Sequence, residues 1–161
     1  MKRKLLLSTS FTKVLEFHRT YNLPIGAMPS TANLDTDRVF LRDGFYIEEF
    51  TELMEAQGFA PDAVHLIQKA WEQAKLIGIT GPPDIVGIAD AIGDIGYFNE
   101  GTAIEYGIDL DDVFTEVHAS NMSKLGEDGK PIFREDGKVM KGPNYFKPDI
   151  RAVLDDQEAL F

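Results

Sequence analysis

IVGIADAIGDIGYF, residues 85–98, is apolar nearly all the way round a helix and yet carries two aspartates, Asp90 and Asp94. Ile85, Val86, Ile88, Ile92, Ile95 and Phe98 surround those acids, so the pattern reads as a helix covered on every side. Aspartate is a weak helix former and is rarely buried without a partner, so the pair is expected to meet positive charge. Four residues apart, the two side chains project from one side of the helix.

FYIEEFTELMEA, residues 45–56, repeats the combination with Glu48, Glu49 and Glu52. Spacings of three and four place Glu49 with Glu52 and Glu48 with Glu52. An isolated EExxE is usually a solvated helix face, and the Asp90 and Asp94 pair is what tips the reading towards a ligand. Buried carboxylates are costly when unpaired, so two acid-bearing apolar helices are expected to converge on divalent cations. Oxygen ligands without His or Cys favour Mg²⁺, with Mn²⁺ as substitute, over zinc.

Outward from these stretches the periodicity calls for an all-α fold, a multi-helix bundle of four or more helices. Thr12 to Tyr21 reads as a short helix with Val14, Leu15 and either Phe17 or His18 inward, ending before the loop NLPIGAMPS. Asp35 or Thr36 caps a long helix to about Gln57, and Asp62, after Pro61, opens another through Ala74 or beyond. Ala63, Leu66, Ile67, Ala70 and Trp71 are spaced for its inner face, and GITGPPD breaks it. Asp84 caps the acidic apolar helix, Gly107 stops it, and Asp109 begins a helix towards Ser123. From Gly126 two Glu-Asp-Gly-Lys turns point to a short β-hairpin or irregular insertion, and PDIRAVLDDQEALF is expected to hold a terminal helix.

At 161 residues and 43% hydrophobic content the chain is expected to form one soluble domain, 1–161. With 27 acidic against 16 basic residues the surface should repel polyanions, which argues against double-stranded nucleic acid as a partner. Without cysteine there is no disulfide or thiolate metal site, and the apolar run in MKRKLLLSTSF is too short for a signal peptide or membrane span. A cytoplasmic location is the expectation. The apolar helix from Asp84 to Tyr106 is hard for one small chain to cover, so a partner subunit is expected.

The segment DDVFTEVHASNMSKLGEDGKPIFREDGKVMKGPNYFKPDI, residues 111–150, closely resembles the C-terminal signature of MazG-like proteins in the all-α nucleoside triphosphate pyrophosphohydrolase superfamily. These are relatives of dimeric dUTPases and phosphoribosyl-ATP pyrophosphohydrolases. EFHRTYNLP resembles the early substrate-side segment, IEEFTEL the first acidic motif and DAIGDIGYFNEGTAIEYGID the second, in the same order. The usual second motif is ExxD, whereas the position three before Asp94 is Ala91 and that three before Asp90 is Gly87. Asp90 stands in for the missing glutamate, because a four-residue spacing also shares a face.

The resemblance implies hydrolysis of a nucleoside or deoxynucleoside triphosphate between the α and β phosphorus atoms, giving a monophosphate and pyrophosphate. It implies Glu49, Glu52, Asp90 and Asp94 as metal ligands, Glu48 or Glu49 as the base, and a homodimer or a dimer of dimers. Asn121, Lys124, Lys138 and Lys141 are the candidates for substrate phosphates, with Arg134 behind them. Phe17 and His18 would border the nucleobase pocket. His118, His65 and Trp71 read as structural, and Tyr145 and Phe146 as packing. Two other classes fit the missing glutamate or the acids alone: a catalytically inert nucleotide-sensing or regulatory module, and a structural helical assembly protein.

Overall fold

A computed structural model describes residues 9–157, and these are helical with almost no extended structure. Among the described residues six α-helices occur in the order α1 Thr9–Thr20, α2 Thr36–Ala56, α3 Pro61–Ile77, α4 Ile85–Tyr106, α5 Leu110–Met122 and α6 Ile150–Asp156. A 3-10 turn, Thr31–Asn33, lies between the loop NLPIGAMPS and α2. The chain divides into two compact units, one running from Met28 to Ile85 and the other joining the residues up to Ala27 with those from Val86 onward.

In the first unit α2 and α3 form a helical hairpin. Asp35 starts α2 by accepting from the Arg38 amide at 2.8 Å, which satisfies one of the orphan donors of the first turn. At the other end Gly58, at φ 86°, closes a Schellman turn. Its amide donates to Glu55 O and the Phe59 amide to Met54 O, both at 3.0 Å. Pro61 and Asp62 occupy the first turn of α3, as expected, and Ala60 stands at the cap position without a side-chain bond. The inner stripe of α3 is Val64, Ile67, Trp71 and Lys75, and Leu66, expected inside, is 67% exposed. Trp71 meets Phe40 edge-on at 6.2 Å, and its ring nitrogen would lie 3.6 Å from a Cβ at Gly44. The weak helix residue in α2 is thereby explained, since it makes room for the indole.

In the second unit α5 is flanked on two sides. Lys13 donates to Thr115 Oγ1, Glu16 Oε2 lies 3.3 Å from His118 Nε2, and the Tyr21 hydroxyl reaches Asn121 O at 2.9 Å. These contacts advance together along both helices, so α1 and α5 run parallel. On the other flank the Asp149 amide donates to Glu116 Oε1 at 2.9 Å, while Gln157 exchanges bonds of 3.1 and 2.8 Å with the backbone of Asp109. The order is reversed, so α6 is antiparallel to α5. The remainder of the expected terminal helix, 158–161, lies outside the described residues.

Among the described residues the buried core is small: Tyr21, Ala103, Ser120 and Gly126 in this unit, and Thr51, Met54 and Val64 in the hairpin. Helix α4 was expected to be covered on all sides, and the described residues of its own unit leave most of it exposed. Every residue from Val86 to Glu100 is exposed, with Val86 at 73%, Tyr97 at 78% and Phe98 at 69%. Only its C-terminal end is closed in, by Ala103 and by Gly107, whose Schellman turn carries the Ile108 amide onto Ala103 O at 2.9 Å.

Candidate functional site

The acidic residues of α2 occupy one side of an uninterrupted helix. Ile47, Thr51 and Met54 mark its packed side, the latter two buried. At about 100° per residue, Glu48, Glu49 and Glu52 fall within roughly a quarter to a third of a turn of one another and mostly away from that side. All three are exposed. Thr51 turns its hydroxyl back onto Glu48 O at 2.9 Å, so the buried polar atom is satisfied inside the helix and the acids are left facing outward.

Helix α4 is likewise continuous through Asp90 and Asp94, so the pair lies one turn apart on one face, and both are exposed. Among the described residues no group of three or more His, Cys, Asp or Glu is gathered closely enough to hold a metal ion. The donor set is all carboxylate, which suits a hard divalent ion.

The basic candidates belong to the segment after α5. From Lys124 to Lys147 six basic residues face four acidic ones, within a chain of net charge −11. The two Glu-Asp-Gly-Lys turns fold alike. Asp128 Oδ1 accepts from the Lys130 amide and Asp136 Oδ1 from the Lys138 amide, both at 3.0 Å, with Gly129 and Gly137 at positive φ. The second turn closes a minimal antiparallel pairing, one bridge between Phe133 and Val139, which is what the expected hairpin amounts to. Arg134 spends its charge on Asp136, Nε lying 3.0 Å from both carboxylate oxygens. That bond and the Lys138 amide hold the Asp136 carboxyl down at about 2.

Beyond the hairpin the chain is fastened to the end of α5. The Gly142 amide donates to Lys124 O at 3.1 Å, and the approach is so close that a Cβ at Gly142 would stand 1.9 Å from Leu125 O. Ser120, buried, donates to Phe146 O at 2.7 Å, and the Phe146 amide donates to Ser123 Oγ at 3.1 Å. Lys141 Nζ sits 4.6 Å from the centre of the Tyr145 ring, and both Lys141 and Lys124 bring positive charge to the phenol. The structure thus places Lys124 and Lys141 about one side chain. Asn121 is half-buried in the last turn of α5, and Lys138 lies half-buried in the hairpin turn.

The residues carried over from EFHRTYNLP have definite local roles. The Phe17 ring lies 4.3 Å from that of Tyr21, and His18 Nδ1 is 2.9 Å from Pro24 O. His118 pairs with Glu16 across α1 and α5, a structural role as expected. Sequence reasoning missed Tyr21, which is fully buried and whose hydroxyl bridges Asn121 O and Met122 O at 2.9 and 3.0 Å. Burial pushes its phenol up, against the lowering effect of backbone bonds from Lys124 and Leu125. The available signal was its place in the motif, since Tyr21 ties EFHRTYNLP to EVHASNMSK.

The family model described as phosphoribosyl-ATP pyrophosphohydrolase matches residues 14–121. Among solved structures, a candidate NTP pyrophosphohydrolase from Exiguobacterium sp. 255-15 is 28% identical, with a TM-score of 0.69 over 92% of this chain and 95% of its own. No curated protein sequence matches the chain.

Proposed function

The chain belongs to the phosphoribosyl-ATP pyrophosphohydrolase family, and from that premise we propose that it hydrolyses a nucleoside or deoxynucleoside triphosphate at the α–β bond, releasing the monophosphate and pyrophosphate. The observation that carries the reading is the outward acidic face of α2, Glu48, Glu49 and Glu52, within the matched segment. Three carboxylates clustered on one exposed helix side repel one another, and a hard divalent cation would offset that repulsion.

Glu49, Glu52, Asp90 and Asp94 would hold Mg²⁺, or Mn²⁺ in its place. Two or more such ions would neutralise phosphate oxygens and lower the pKa of a water. One of the adjacent pair Glu48 and Glu49 takes the proton of the attacking water. Asn121, Lys124, Lys138 and Lys141 meet the phosphate charge beyond the metal, and Phe17 and His18 border the base. The exposed apolar length of α4 is far more than a soluble monomer ordinarily leaves in water, which supports a homodimer or a dimer of dimers.

The test is product identity across a set of NTPs and dNTPs with Mg²⁺. Pyrophosphate and monophosphate are expected, with activity lost in EDTA, restored by Mg²⁺ or Mn²⁺ and not by Zn²⁺. Release of orthophosphate and a diphosphate, or full turnover in chelator, would overturn the proposal.

A further inference from the structure

The segment 141–146 lies outside the residues matched by the family model, and its attachment to α5 is made by backbone. Gly142 N, Phe146 N and Phe146 O supply the bonds to Lys124, Ser123 and Ser120, and the Tyr145 amide turns back onto Gly142 O at 3.2 Å. The Tyr145 side chain is therefore not what fastens the loop. It is half-buried, with its ring under Lys141 and its hydroxyl within hydrogen-bonding reach of Ser120. Ser120 commits its one proton to Phe146 O, so towards a neutral phenol it acts as acceptor.

Two cations set about a phenol, on a loop held rigid by a buried serine and a glycine that tolerates no side chain, form a preorganised place for negative charge. Burial raises the phenol's proton affinity, and the Lys141 hydrogen bond with the Lys141 and Lys124 charges outweighs it, leaving Tyr145 below the usual tyrosine range. A phenol so biased is a stronger hydrogen-bond donor.

We propose that Tyr145 is a substrate-binding residue, its hydroxyl donating to a phosphate oxygen of the polyphosphate that Lys141 and Lys124 hold. The identity of the anion rests on the hydrolase reading, whereas the subsite itself rests on the loop geometry. On binding, the phenol turns from Ser120 to the phosphate, and the anion offsets the two lysines.

Inorganic tripolyphosphate, measured by calorimetry on the full chain, is the probe. Tyr145→Phe should weaken its binding about tenfold to a hundredfold, as for a hydrogen bond to a charged group, with the melting temperature unchanged. Ultraviolet titration should show the lowest-titrating phenol missing in Tyr145→Phe and shifted upward in wild type by tripolyphosphate. Lys141→Met, which keeps the phenol, should weaken the probe and raise that titration. Equal affinity of wild type and Tyr145→Phe, or a phenol titration that ignores the probe, would overturn the subsite even if NTPs are hydrolysed. Tyr145-dependent tripolyphosphate binding without NTP hydrolysis would uphold the subsite and remove the hydrolase reading instead.

Discussion

Helices α2 and α4 are nearly equal in length, 21 and 22 residues, and both carry carboxylates on successive turns, yet they differ in what they leave uncovered. In α2 the acids have one side and α3 fills another, with Thr51 and Met54 buried. In α4 the apolar residues around Asp90 and Asp94 are as exposed as the acids themselves. A helix can thus be fully specified as a helix by its own sequence while its surroundings are left to another surface. For α2 the hairpin orients the acid face, and for α4 that task falls to the proposed second copy.

The sharpest way to break the comparison is to remove charge from each helix in turn. Glu52→Gln and Asp94→Asn keep side-chain size and helix, so each should lower hydrolysis by at least about a hundredfold. In metal-free buffer the melting temperature should stay equal or rise, since one of several repelling charges is gone. If Asp94→Asn unfolded the protein and Asp90→Asn left turnover intact, the acids of α4 would be structural.

Next in size is the contrast in covering. Trp71→Ala, within the α2–α3 hairpin, should destabilise by about 2–4 kcal/mol in urea unfolding and leave the molecular mass alone. Phe98→Asp, on the bare side of α4, should do the reverse: lower the light-scattering mass by about half, or by about half at each step of a dimer of dimers, with the helices retained in circular dichroism. Wild type that scatters as a monomer at micromolar concentration would end the comparison.

The smallest effect lies outside both helices and serves as their control. Asp136 is held at about 2 by Arg134, below its ordinary 3.8. A depressed carboxylate stabilises the fold at pH above about 3.8 and loses that contribution as pH falls towards 2. The pair is at the surface, so Asp136→Asn should remove less than about 1 kcal/mol, and only above that range, in urea midpoints from pH 5 downward.

Where the sequence was legible, the signal was local. The Asp35 cap, the end of α2 at Ala56, the Gly107 stop and the Asp109 cap of α5 depend on a few neighbouring residues, and the helices found match those read. The inner faces were less legible. Val14 is 42% exposed and Tyr21 fully buried, because the side of α1 that packs is chosen by α5, a hundred positions along the chain. The acidic turns were plain from spacing, while the fastening of Tyr145 beside Lys124 and Lys141 was not, since it joins the Ser120 and Ser123 hydroxyls at the end of α5 to loop backbone more than twenty positions along the chain.

The bond from the Gly142 amide to Lys124 O means that the hairpin between them leaves and rejoins the chain at almost the same point. Such an excursion is bounded by a closed neck, and the entropy of closing it changes by only about 0.6 kcal/mol for each doubling of its length. Its interior can therefore be trimmed or extended without displacing Tyr145, Phe146 or α6, so long as position 142 stays glycine, because a Cβ there would collide with Leu125 O at 1.9 Å. Length variation has room inside the neck and none at it.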